Sequence, residues 1–244
     1  KDNDVAIINS DIRASLQNNI RLTLFTNIEE FRIYANSDES TEISLRSIVN
    51  AKSLKFEEGS TFKAAAKFTN WHESGITDFD FSGITSKFGI DLLNADSGVP
   101  DSKSTLRLVG SDGGDTLEGL AGDVQIFGNL GVDILTGSTG GKSTITGGAG
   151  LDIISFPKTN VQNTINLTRQ TTSDSLDTVT GFIGANNVTK ANGTFDVIQL
   201  NDGSFPNYEA GALIKQKTVT EAGAMTSLEN TVIVDTEANI KAQI

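Results

Sequence analysis

From Gly110 to Ser155 the chain counts in nines. The units read GSDGGDTLE (Gly110 to Glu118), GLAGDVQIF (Gly119 to Phe127), GNLGVDILT (Gly128 to Thr136), GSTGGKSTIT (Gly137 to Thr146, one residue longer) and GGAGLDIIS (Gly147 to Ser155). Three units carry an aspartate at the same place, followed two residues later by a large apolar residue. Units this short cannot bury an apolar face alone. They must stack, with glycine turns alternating with short strands, so that two nonapeptides make one coil of about eighteen residues. A flexible linker would also be rich in glycine, but it has no reason to place an apolar residue two after each aspartate.

In such a coil units one, three and five stack along one side, and units two and four along the other. Asp115, Asp133 and Asp152 fall on the first side, 18 and 19 residues apart, whereas the matching positions of the second side hold Val124 and Lys142. A hard cation such as Ca²⁺ takes six to eight oxygens from carboxylates and carbonyls, and glycine lets a turn adopt the angles that aim carbonyls inward. The expectation is therefore calcium along the aspartate edge only. One ion would sit between the loops of units one and three and another between those of units three and five. The candidate ligands are Asp115, Asp133 and Asp152 with the loop residues Gly110, Asp112, Gly113, Gly128, Gly131, Gly147 and Ala149. The opposite edge should be free of metal, with the Lys142 ammonium where a cation would otherwise go. A third site is expected just before the repeats, since Asp96 lies 19 residues before Asp115 in a turn with Asn94, Ser97, Gly98 and Asp101. Leu117, Leu135 and Ile154 should line one sheet's interior and Ile126 and Ile145 the other's, Ile145 being in phase only if the extra residue bulges out.

Over these 46 residues the chain resembles the RTX family of proteins exported by bacterial type I secretion. The resemblance implies repeats that stay unfolded in the calcium-poor cytoplasm and fold on meeting calcium outside. It loosens afterwards, where 176–182 (LDTVTGF) and 195–200 (FDVIQL) are similar to the "D-x-I-x-D-F … D-x-I-x-L" segments that often follow such repeats, with Gly181 in place of the second aspartate.

Composition fits an exported, metal-dependent chain. There is no cysteine among 244 residues, so neither disulfides nor thiolate ligands contribute to stability. The formal charge of −12 disfavours nucleic acid and anionic membrane as partners, and bound divalent cations would relieve part of it. No apolar run is long enough to span a membrane, so membrane insertion is not expected. The chain starts at Lys1 without a secretory signal, as a piece of a longer protein would.

A coarser rhythm precedes the repeats. Alternating apolar pairs stand at Phe31/Ile33, Leu54/Phe56, Phe79/Phe81 and Leu106/Leu108, at spacings of 23, 25 and 27 residues, with a small or apolar residue three before the first three (Ile28, Ala51, Ile76) and a second set at Ile43/Leu45 and Ile90/Leu92. Two short strands per twenty-odd residues indicate a β-solenoid; an evenly spaced β-sandwich is the alternative. The predicted fold is all-β: solenoid rungs with an N-terminal cap over residues 1–109, a β-roll over 110–155 and a β-rich capping region over 156–244. Residues 10–16 read as a short capping helix, and 161–167, 178–200 and 231–234 as strands, with 210–217 weaker.

Catalysis is not expected. His72 is the only histidine and lies outside any H-E-x-x-H motif, there is no G-x-S-x-G turn, and Gly140-Gly141-Lys142-Ser143 lacks the earlier glycine of a phosphate loop, position 136 being Thr136. Carboxylate pairs such as Asp78/Asp80 read as solvated surface charge. The wider resemblance is to the C-terminal regions of bacterial surface-layer proteins, in which solenoid segments of the kind seen at 27–33 (NIEEFRI) run into RTX repeats. It implies a secreted, calcium-dependent structural protein at the cell surface that self-associates into a lattice, with cell-envelope polysaccharide as a further candidate partner. The alternatives are a non-catalytic C-terminal roll of a secreted protease or lipase, and an adhesin.

Overall fold

The computed structural model describes residues 4–9, 28–37, 41–45, 51–71, 74–92, 105–157, 161–167, 177–182, 196–200, 215–218 and 230–233. Among them there is no α-helix, and the chain winds as a β-solenoid. One nine-stranded sheet is built, in spatial order, from β1 (Val5–Asn9), β2 (Glu30–Tyr34), β5 (Ser53–Phe56), β8 (Asp78–Asp80), β10 (Leu106–Val109), β12 (Val124–Leu130), β14 (Ser143–Ala149), β16 (Thr164–Leu167) and β18 (Val197–Leu200). The facing sheet runs through β4 (Thr41–Ser44), β7 (Ala66–Thr69), β9 (Phe88–Leu92), β11 (Gly114–Glu118), β13 (Ile134–Thr136), β15 (Ile153–Ser155) and β17 (Thr178–Thr180). Two short strands, β3 (Asn36–Ser37) and β6 (Thr61–Phe62), pair on a third side of the early coils.

Every pairing up to β18 is parallel, which rules out the sandwich alternative, since sandwich sheets are antiparallel. The hydrogen-bonded ladder crosses positions 109/110 and 155/156 without interruption, β10 pairing with both β8 and β12 and β15 with β17. Pairing turns antiparallel only at the far end. There β20 (Asn230–Ile233) lies against β17, and β19 (Lys215–Thr218) against β20, so two antiparallel strands cover the last parallel strand of that sheet. The stretch 178–200, expected to be strand-rich, contributes to both sheets: β17 to one and β18 to the other. The expected helix at 10–16 lies outside the described residues.

The alternation of each strand sends one residue in and the next out, and stacking aligns the inward residues into columns. In the first sheet Phe31, Leu54, Phe79, Leu108, Ile126, Ile145 and Ile165 follow one another in register; in the second, Leu92, Leu117, Leu135, Ile154 and Val179 do. All of these are buried. The register corrects the sequence reading at one point: Leu108, not Leu106, lies against Phe79, and Leu106 lies against Val124. A further rung of the second sheet, Ala66/Phe68 in β7, was not among the expected pairs, because alanine does not stand out as the first member of an apolar pair. Ile145 is in phase with Ile126, so the extra residue of unit four is absorbed in its turn, as required.

The early, wider coils are filled by aromatics. Phe56 packs against Phe62, Phe68 and Phe81 at ring-centroid distances of 6.1, 5.8 and 5.6 Å, and Trp71 meets Phe79 edge-on at 5.5 Å. In the nine-residue units leucine and isoleucine suffice. Phe56→Ala should cost about 3–5 kcal/mol in chemical denaturation, whereas Lys55→Ala, one residue away on the outer face, should stay within about 0.5 kcal/mol.

Candidate functional site

At the edge where the second sheet's strands begin, four aspartates of successive coils stack into a ladder. Asp115 and Asp133, one coil apart, are joined when the Asp115 N–H donates to Asp133 Oδ1 at 2.8 Å. The Asp133 N–H donates to Asp152 Oδ1 at 3.0 Å, and the Asp152 N–H to Asp177 Oδ1 at 3.2 Å. The ladder starts at the Ile90 N–H, which donates to Asp115 Oδ1 at 2.6 Å. Asp115, Asp133 and Asp152 are buried. Sequence spacing brought the first three together. Asp177 was missed as a site residue because it follows Asp152 by 25 residues, outside the nonapeptide period. It nevertheless keeps the same spacing to its inward neighbour Val179 as the others do to Leu117, Leu135 and Ile154.

The opposite edge is built the same way from Ser143 on with other side chains, whereas the Val124 N–H donates to the Lys142 carbonyl. There Val124, Ser143, Asn163 and Asp196 occupy the equivalent positions. The Ser143 N–H donates to Asn163 Oδ1 at 3.1 Å and the Asn163 N–H to Asp196 Oδ1 at 2.8 Å. Ser143, not Lys142, fills the place that corresponds to the aspartates, because the insertion in unit four shifts Lys142 out into the turn. Lys142 is exposed, and its N–H donates to Asp123 Oδ1 at 2.8 Å, so it does not stand in for a cation inside this edge.

The other candidate ligands are placed as follows. The Gly110 carbonyl accepts from Asn129 Nδ2 at 2.7 Å. The Asp112 N–H donates to the Ile84 carbonyl, and the Gly113 N–H to Ser111 Oγ. The Ala149 carbonyl accepts from the Gly131 N–H at 3.0 Å. Gly128 and Gly147 border the aspartate carboxylates directly. A side chain at Gly128 would begin 2.2 Å from both Asp133 Oδ2 and the Gly147 carbonyl oxygen, and one at Gly147 2.4 Å from Asp152 Oδ2, so only glycine fits. Asp96 and Asp101 lie outside the described residues, as does His72.

The second carboxylate oxygens decide the chemistry. Asp133 Oδ2 and Asp152 Oδ2 are buried and accept no hydrogen bond. An anionic oxygen in that position is costly unless it is protonated or meets a cation. Accordingly, burial pushes Asp133 up to about 8, Asp177 up to about 7 and Asp115 up to about 6, and raises Asp152 as well; neighbouring carboxylates add to the effect at Asp133 and Asp177. Among the described residues no three carboxylate or histidine side chains form a cluster able to hold a metal. A cation here would therefore draw on carboxylate pairs completed by backbone oxygens, which suits calcium's preference for mixed oxygen ligands. The pairing of Asp133 Oδ2 with the Gly147 carbonyl oxygen fits that donor set. No protein-family model, no curated protein and no solved structure matches the chain.

Without metal, the ladder sets a pH dependence. These carboxyls bind protons more tightly when folded than when unfolded, so their contribution to stability is greatest below the ordinary aspartate range and is lost as pH climbs through about 6 to 8. In chelator, the melting temperature should fall between pH 5 and pH 8. Asp133→Asn, which keeps the shape and removes the charge, should flatten that fall; a parallel fall in both proteins would contradict it.

Proposed function

We propose that the chain is a calcium-dependent structural protein of the bacterial cell surface, exported by type I secretion, that assembles with copies of itself into a surface layer. The observation that carries this reading is the buried aspartate ladder with its two unpartnered oxygens. Those oxygens accept no hydrogen bond, so the edge suits an ion that is scarce inside a cell and plentiful outside. Ions bound only by the folded form add stability by mass action, roughly 2.7 kcal/mol per site at a hundredfold excess over the dissociation constant. For a chain without disulfides that is a large share of a typical 5–15 kcal/mol, the approximate range for a whole domain.

Assembly is supported by a second feature of the same region. Leu130, Val132, Ile134, Leu151 and Ile153 are all exposed, and Ile134 lies directly beside Ile153 on neighbouring strands. An aliphatic stripe of this kind on a chain of net charge −12 is unusual for a free monomer. Charge repulsion opposes contact between copies until cations reduce it. Calcium would thus both order the coils that present the stripe and lower the barrier to burying it. Among the described residues no helix is long and apolar enough to cross a membrane. Envelope polysaccharide is the candidate partner for attachment to a cell.

Melting and light scattering with and without calcium test this directly. Chelator should lower the melting temperature by roughly 5–10 degrees for each ion lost, what loss of about 3 kcal/mol produces in a chain of this size, and calcium should convert monomer into large particles. Ile134→Ser combined with Ile153→Ser should abolish the particles while leaving the calcium-induced rise in melting temperature. Particles that form equally well in chelator would refute the assembly mechanism.

A further inference from the structure

The three repeat aspartates are not equivalent. Asp115 already has protein donors on both oxygens. Oδ1 accepts from the Ile90 N–H and from Ser111 Oγ at 2.8 Å, and Oδ2 accepts from the Ser111 N–H at 2.6 Å. Asp133 and Asp152 each have only one oxygen engaged, by the N–H of the preceding coil, and the other is buried and unpartnered. The cause lies in the second residue of each unit, which is Ser111, Asn129 or Gly148. Ser111 folds back onto its own aspartate. Asn129 and Gly148 take left-handed angles, with φ of 77° and 114°, and neither contributes a donor to its own aspartate's second oxygen.

The loop carbonyls are also bonded differently from coil to coil. Asn129 reaches across to unit one and donates its amide to the Gly110 carbonyl at 2.7 Å. One coil further on, Gly148 pairs in register with Asn129 and has no side chain with which to do the same for the Gly128 carbonyl. In the first loop a hydroxyl and two backbone N–H groups thus hold Asp115, and an amide holds the Gly110 carbonyl. Both junctions bring a carboxylate oxygen near the next coil's glycine carbonyl, Asp115 Oδ2 and the Gly128 carbonyl oxygen meeting at Gly110 as Asp133 Oδ2 and the Gly147 carbonyl oxygen do at Gly128. They differ in that Asp115 Oδ2 already accepts the Ser111 N–H, whereas Asp133 Oδ2 and Asp152 Oδ2 accept nothing.

We infer that divalent-cation binding on this edge is confined to the junction of the loops at 128–133 and 147–152, through Asp133, Asp152 and the Gly147 carbonyl, and that Ser111 and Asn129 replace the ion at 110–115. The inference rests on the calcium reading above and sharpens it, one ion standing where the repeat spacing alone suggests two. A carboxylate oxygen with a full complement of N–H and O–H donors gains little from a cation, whereas an unpartnered buried one gains the whole cost of its desolvation.

Calorimetric titration of calcium into the full 244-residue chain separates the two ideas. Asp115→Asn should bind the same number of ions as the unsubstituted protein, with affinity changed less than about threefold, while Asp133→Asn should lose one ion or weaken it about 100-fold. Equal losses in the two variants would overturn the inference while leaving calcium dependence standing; an unsubstituted chain that binds no calcium would remove both. Should Asp133→Asn fail to fold, the anomalous signal of manganese soaked into crystals of the unsubstituted protein gives the answer. A peak between Asp133 and Asp152 alone supports the inference, and a peak beside Asp115 overturns it.

Discussion

What the coil depends on is a hydrogen bond that a sheet cannot make. Where the chain leaves a turn to begin a strand, the first N–H is buried before the parallel ladder can receive it, and an unpaired buried donor costs about as much as a lost hydrogen bond. In this protein a side-chain oxygen from the next coil accepts it. Asp133, Asp152 and Asp177 do so on one edge, Asn163 and Asp196 on the other, and in the wider early coils Ser60 accepts from the Ala35 N–H at 3.2 Å. Serine and asparagine perform this task without charge. The aspartate edge therefore carries negative charge that the fold itself does not require, and the unused second oxygens are where it resides.

Much of this was legible in the sequence, for reasons that also mark where legibility stops. Alternation states which face a residue points to, and the period states which residues stack, so Leu117, Leu135 and Ile154 could be aligned by counting. Parity alone does not fix register, however. Leu106 and Leu108 both face inward, and only the backbone pairing of Arg107 with Asp78 shows that Leu108 lies under Phe79. An insertion likewise hides its own position: counting from the start of unit four puts Lys142 on the inner edge, counting back from Ile145 puts Ser143 there, and the second is right. Asp177 was hidden by a longer excursion before it, although its spacing to Val179 was visible. The roles of Ser111 and Asn129 could not be read at all, because they depend on backbone angles and not on residue type alone.

The change in coil length ties the filling of the interior to the chemistry of its edge. Inward positions in the first coils hold Phe56, Phe68, Phe79, Phe81 and Trp71, which need a wide cross-section; those of the repeats hold Leu117, Ile126, Leu135, Ile145 and Ile154. Narrowing the coil shortens the turn to a few residues and brings each turn's backbone against the next, which is why a side chain at Gly128 or Gly147 would collide with a neighbouring oxygen. Tight turns gather carbonyls and carboxylates into one narrow edge. The charge is concentrated where the coil is smallest, and that is also where a small hard ion could reach oxygens from two turns at once.

Burying a charge in a strand has a consequence on the outside. If an aspartate points inward, both of its neighbours must point outward, so Val132 and Ile134 flank Asp133 on the surface, and Leu151 and Ile153 flank Asp152. Nothing in the fold asks those neighbours to be aliphatic. In the same outward column Ile134 and Ile153 lie between Thr116 above and Thr178 below, each next to an aspartate of the same ladder and each compatible with the strand. The aliphatic residues are thus confined to the two coils whose aspartates have unpartnered oxygens, and they stop where Ser111 closes the ladder at one end and Asp177 continues it at the other. Local stability does not account for that coincidence, since threonine suits a strand as well as isoleucine does. It follows if the stripe and the carboxylates act together, the ion holding two coils in place and the surface of those same two coils meeting another molecule.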